Sequence, residues 1–135
     1  MTTPIVMISG SISIRVLPKE AIASLNKIIN LGFHIIIGDA PGVDSLVQNY
    51  LKSKNCQNVT VYYAKFSWSG KCRNNAGFTS VGIDGNYSDR DKIMCNLADY
   101  FLAIWDGKSR GTKANIDRLK ARKVTGKVIC VATAR

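Results

Sequence analysis

The sequence predicts a single α/β domain, a parallel sheet of about five strands with helices on both faces. Three observations lead there. Apolar runs alternate with stretches of 3.6-residue periodicity along the whole chain. The apolar runs are continuous rather than alternating, the pattern of strands buried on both faces. Three strand ends pass into turns of glycine and small polar residues, where ligands gather in such folds. With 135 residues, 46% of them hydrophobic, one domain spanning 1–135 has enough apolar material for a real core.

The elements follow in order. Ile5 to Ile8 is a short apolar strand closing on Ser9-Gly10-Ser11. Leu17-Pro18-Lys19-Glu20 opens a helix, with proline tolerated in the first turn. Ile22, Leu25 and Ile29 are its buried stripe, and Asn30-Leu31-Gly32 ends it. Phe33 to Ile37 is a second strand, feeding the turn Gly38-Asp39-Ala40-Pro41-Gly42-Val43-Asp44-Ser45. Val43, Leu46, Val47, Tyr50 and Leu51 then recur at helical spacing. Val59 to Tyr63 is a third strand. Residues 64 to 88 break the rhythm and read as one long loop, with Gly70, Gly77, Gly82 and Gly85 among aromatic and basic residues. Ser88 as N-cap, with Asp89 and Asp91 behind it, starts a third helix on Ile93, Met94 and Leu97. Tyr100 to Trp105 is a fourth strand, leading into the polar turn Asp106 to Thr112. A fourth helix runs to about Lys123, and Val128 to Ala132 is the last strand.

Composition narrows the function. No run reaches the length of a membrane span, and Met1-Thr-Thr-Pro lacks the charged start of a secretory signal. Cys56, Cys72, Cys95 and Cys130 are scattered, with no CxxC pair and a single His34. No structural zinc site and no other metal site is expected, and the cysteines should be free thiols in the cytoplasm. No Ser-His-Asp or Cys-His arrangement is available either, because the histidine sits in the second strand. Nineteen Lys and Arg against nine acids give a charge of +10, which favours an anionic partner.

The turn from Gly38 to Ser45 packs two glycines, a proline and two aspartates between a strand and a helix. Glycine lets the backbone approach a ligand, and the helix start offers unpaired N–H groups. Asp39 and Asp44 are candidates to accept from ribose hydroxyls, or else fix the turn and cap the helix. At the fourth strand, Thr112 and the amides near Gly111 suit a phosphate, or plain capping. Arg110 is the candidate bidentate clamp, and Arg90 reaches the same phosphate or pairs with a neighbouring aspartate. Trp105 is read as core. Trp68, with Lys71 and Arg73 beside it, is the stacking candidate if the 64–88 loop folds over the site as a lid; the alternative is packing on a second subunit, a homodimer.

The order of these motifs resembles a family. Gly10-Ser11, Gly38 to Asp44, Arg90-Asp-Lys-Ile-Met94 and Ala103-Ile-Trp-Asp106-Gly107-Lys-Ser109-Arg110-Gly111-Thr112 together look like the SLOG superfamily of Rossmann-like nucleotide-ligand domains. The short YspA-like members are the most similar in pattern, across essentially the whole chain. The resemblance implies a nucleotide-type ligand; no cofactor is expected. It also points to the related Lonely Guy phosphoribohydrolases, which cleave a base from a nucleoside monophosphate. Their pattern is Pro-Gly-Gly-x-Gly-Thr-x-x-Glu, preceded by Arg-Lys-x-x-Met. Aligned on Gly111-Thr112, this chain has Gly107, Lys108 and Ser109 at the Pro-Gly-Gly positions and Asn115 at the glutamate. Asp91 stands where those enzymes have lysine. An amide neither stabilises a ribosyl cation as a carboxylate does nor exchanges a proton near neutral pH. Binding of a nucleoside phosphate or ADP-ribose-like ligand is therefore the expected function. The alternatives are an N-glycosidic nucleotide hydrolase using Asp39, Asp44 or Asp106, and nucleic-acid binding. The latter rests on 9 basic residues against one acid from Lys108 to Arg135, although the cations of the fourth helix spread around it.

Overall fold

A computed structural model describes residues 3–132. The strands are β1 (Ile5–Gly10), β2 (His34–Gly38), β3 (Val59–Ala64), β4 (Thr79–Ile83), β5 (Tyr100–Trp105) and β6 (Thr125–Cys130). The helices are α1 (Lys19–Leu31), α2 (Val43–Ser53), α3 (Tyr87–Leu97) and α4 (Arg110–Ala121). All six strands run parallel in one sheet of order β4-β3-β2-β1-β5-β6. No helix among the described residues is long and apolar enough to cross a membrane.

Period-two alternation divides β1 between two cores, which is why its run is apolar throughout. Val6 and Ile8 pack with Leu25 of α1, Val47 and Leu51 of α2, and Leu102 and Ile104 of β5. Met7 faces the other way, to Ile36, Met94 of α3, and Ile116 and Leu119 of α4. Helices therefore cover both faces of the sheet, as expected.

The sheet has six strands where about five were expected, and the additional one, β4, lies inside the segment read as a loop. Thr79-Ser-Val-Gly-Ile is an edge strand bonded only to β3 and largely exposed, so it carries no hydrophobic signal. The irregular connection is thus 65–78. Helix α3 starts earlier than Ser88. Asn86 caps it, accepting from the Asp89 amide at 3.0 Å while Asp89 accepts from the Asn86 amide at 2.9 Å, a complete capping box. Strand β6 runs from Thr125 to Cys130 rather than from Val128 to Ala132; its first three residues are exposed at the other edge and carry no apolar signal. Gly126 lies inside β6, where a Cβ would run into the ring of Phe101. His34 bonds Thr60 Oγ1 at 2.9 Å, a structural contact.

Candidate functional site

The strand order reverses between β1 and β5, so their outgoing loops part and leave a crevice at the carboxyl edge of the sheet. A cavity of about 520 Å³ occupies this crevice. Its walls come from the loops after β1, β2 and β5, from α3, and from the first turn of α4.

The β1 and β5 loops are laced together. Gly10 lies so close to Val43 and the Ile104 carbonyl that no side chain fits there. The Ser11 amide donates to the Ile104 carbonyl at 3.0 Å. Ser11 Oγ accepts from the Asp106 amide at 3.0 Å and lies 2.7 Å from Ser109 Oγ. Asp106 completes the lacing. Its carboxylate accepts from Ser13 Oγ at 2.7 Å and from the Ser109 and Lys108 amides at 2.7 and 2.8 Å, and these bonds hold it far below the usual carboxylate range. Asp106 is therefore a brace that stays ionised, unsuited to moving protons.

The β2 turn is held just as firmly. Gly42 has φ 80°, and a Cβ would stand 2.5 Å from the Ile12 backbone. The two aspartates have different environments. Asp39, 1% exposed, accepts from the Arg73 amide, Arg73 Nη2 and Arg90 Nη1, each at 2.8 Å. Burial pushes its carboxyl up, but the hydrogen bonds and charge of Arg73, with the charge of Arg90, more than reverse this and leave it lowered. Asp44, 5% exposed, accepts from the Ala40 amide at 3.1 Å and faces the cavity. Burial raises its carboxyl to about 7, against the opposing charge of Arg90. Of the three aspartates, Asp44 alone is set to exchange a proton near neutral pH.

Helix α3 supplies Tyr87, Arg90, Asp91 and Met94 to the wall. The Arg90 guanidinium bridges Asp39 and Asp91, with Nε 3.1 Å and Nη2 3.0 Å from Asp91 Oδ1. Asp91 in turn accepts from Asn115 Nδ2 at 3.2 Å, and Asn115 Oδ1 accepts from Arg118 Nη1 at 2.9 Å. Two of the positions at which the sequence departs from the phosphoribohydrolase pattern, Asp91 and Asn115, are thus in direct contact. Tyr87 lies beside both arginines, its ring centroid 4.3 Å from the Arg73 guanidinium carbon and 5.2 Å from that of Arg90.

The cavity wall includes Gly10, Ser11, Gly38, Asp44 and Arg90 from the sequence-predicted set, with Asp106, Ser109, Gly111 and Thr112. Asp39, Gly42 and Val43 stand behind it and shape the turn. Arg110 and Gly107 are exposed and lie off the wall. Arg110 is the first residue of α4, and the two residues after it, Gly111 and Thr112, border the cavity instead. Arg73 reaches the cavity, whereas Lys71 and Trp68 do not. The 65–78 connection is bonded along the length of α2. Gln48 Nε2 donates to the Gly38 and Asn74 carbonyls at 2.9 and 3.1 Å, Asn74 Nδ2 donates to Ser45 Oγ at 3.0 Å, and Lys52 Nζ donates to the Ala76 carbonyl at 2.6 Å.

Tyr87, Ser13 and the pairing of Asp91 with Asn115 were not singled out from sequence. Tyr87 has no motif to mark it, although a helix start after Gly85-Asn86 is a usable signal. The cations of α4 are partly engaged: Lys113 pairs with Asp117 at 2.6 Å, Arg118 with Asn115 and Ser88, and Arg122 with the Cys95 carbonyl. Among the described residues no group of three or more His, Cys, Asp or Glu side chains could hold a metal ion.

No Ser109 side-chain bond caps α4, in contrast to the complete capping box of α3. The amides of its first turn therefore offer donors at the cavity wall. With Arg90 matched by two carboxylates, these amides and the serine and threonine hydroxyls are the donors best placed for an anionic group. No family model and no characterised protein matches the chain.

Proposed function

We propose that the protein binds a phosphate-bearing nucleotide or nucleotide-derived ligand, a nucleoside phosphate or an ADP-ribose-like molecule, in the crevice between β1 and β5. The observation that carries the reading is the cavity of about 520 Å³ bordered by the uncapped first turn of α4. Helix dipole and free amides favour a phosphate there, and the volume falls within the range of small-ligand sites. The resemblance to SLOG domains supports the same ligand class, with Gly111 and Thr112 at the phosphate and Asp44 on the opposite wall.

Calorimetry with ADP-ribose and nucleoside monophosphates tests this. Gly111 has open space around its Cβ position, so Gly111→Asp should fold normally while setting a carboxylate against the phosphate. Binding should weaken on the order of tenfold or more. Equal affinity in parent and variant, or no binding of any of these compounds, would refute the reading.

One observation favours a second reading, N-glycosidic hydrolysis: Asp44 lines the cavity and carries a proton near neutral pH. Chromatography of nucleoside monophosphates incubated with the protein decides it. Base release that is lost in Asp44→Asn supports turnover, and intact substrate supports binding alone.

A further inference from the structure

The connection between β3 and β4 carries a feature that the cavity does not use. Lys65 to Gly70 form a tight turn, closed by the Gly70 amide on the Lys65 carbonyl at 2.7 Å and Ser69 Oγ on the Phe66 carbonyl at 2.8 Å. Inside it Phe66, Ser67 and Trp68 have φ of 45°, 54° and 82°. Three successive non-glycine residues thus occupy the left-handed region, where Cβ crowds the following carbonyl. Such strain persists only where the surroundings over-determine it, and it gathers at binding sites. Here the Lys65 and Phe66 amides are fixed on the Ile83 and Gly85 carbonyls at 2.8 and 2.9 Å.

The strained turn holds out Trp68, which is 80% exposed. Lys65 Nζ lies 3.5 Å from its ring centroid. Phe66 stands edge-on to Tyr87 at 5.0 Å, and Tyr87 carries the Arg73 guanidinium on from there. Rings and cations therefore alternate across this side of the molecule. Along the chain the connection and its flanks are rich in cations as well. Between Asp44 and Asp84 there is no acidic residue, but there are five cations: Lys52, Lys54, Lys65, Lys71 and Arg73.

Exposed rings interleaved with cations match a polymer of flat bases and phosphates. We propose that the Lys65–Gly70 turn binds single-stranded nucleic acid, with a base stacked on Trp68 and Lys65 and Lys71 neutralising the phosphates beside it. A duplex keeps its bases stacked inward and offers Trp68 no partner.

The test is fluorescence anisotropy of a labelled oligothymidylate of about ten nucleotides, a length within the usual single-strand site sizes, and of a duplex of equal length. The full chain is compared with Trp68→Ala and Trp68→Phe, whose folds are checked by circular dichroism. The single strand should bind better than the duplex. Its affinity should fall about 5- to 150-fold in Trp68→Ala and be largely kept in Trp68→Phe, the range for loss of one stacked base. The oligonucleotide should also quench the fluorescence of the parent more than that of Trp68→Ala, which retains Trp105. The proposal is overturned by no binding at low salt, by equal affinity in parent and Trp68→Ala, or by preference for the duplex. A concentration-dependent dimer that Trp68→Ala abolishes overturns it too.

Discussion

Replacing Asp44 with asparagine should change how stability depends on pH more than it changes the fold. The asparagine oxygen can still accept from the Ala40 amide, the bond made at 3.1 Å, but the side chain no longer ionises. In the unfolded chain the Asp44 carboxyl titrates near 3.8; burial in the folded protein raises it to about 7. Between those values the folded state holds a proton that the unfolded state has lost, so stability falls as pH rises. The contribution is complete below about pH 4 and gone above about pH 7. A tenfold change in a protonation equilibrium is worth about 1.4 kcal/mol, and pH 5 lies about two pH units below the point where the folded carboxyl titrates, so about 3 kcal/mol is at stake above pH 5. Urea titrations of both proteins at pH 5 and pH 8 should find Asp44→Asn gaining about 3 kcal/mol relative to its parent over that interval. Parallel curves, agreeing within about 0.5 kcal/mol at both pH values, would show that the carboxyl is not held in its raised state.

Three further expectations follow from the same surroundings. Asp39→Asn removes the carboxylate shared by Arg73 and Arg90 and should cost about 3 kcal/mol, the low end for a broken buried pair, because Arg90 keeps Asp91 and Arg73 is partly solvated; urea midpoints at neutral pH give the value. Asn86→Ala takes away one half of the α3 capping box and should cost about 1 kcal/mol by thermal melting. A thiol reagent at pH 8 should modify exposed Cys130 quickly and leave Cys95 until urea is added, since burial and then the charge of Asp91 raise that thiol to about 11.

The elements that the sequence made legible are those whose burial imposes a pattern. β1, β2 and β5 are packed on both faces, so Val6-Met-Ile8, Ile35-Ile-Ile37 and Phe101 to Ile104 read as continuous apolar runs. Edge strands lack that constraint. β4, and the start of β6 at Thr125-Gly-Lys127, carry polar residues and glycine, and neither was legible. The same division holds at the site. The turns at Gly10, Gly38 to Asp44 and Asp106 to Thr112 were found because backbone geometry demands particular residues there. What the sequence could not give is which charges meet. Asp39 and Arg90 stand 51 positions apart and share a bond of 2.8 Å, leaving Asp39 committed and Asp44 open to the cavity. Arg110 and Arg73 show the limit in another way. Both sit in polar, glycine-containing segments, and only their three-dimensional placement puts the second on the cavity wall and the first outside it.

The contact between Asp91 and Asn115 has a bearing on attempts to give this chain a hydrolase's chemistry. Installing glutamate at 115 alone would set a new carboxylate against Asp91, and two adjacent acids do not both ionise readily. The single change Asn115→Glu would therefore replace the amide's hydrogen bond to Asp91 with a repulsion, while the new carboxylate could still accept from Arg118. Exchanging Asp91 for lysine in the same molecule would convert that repulsion into an attraction, while releasing Arg90 from one of its two carboxylates. The two positions are in contact, so the two substitutions are expected to be strongly non-additive.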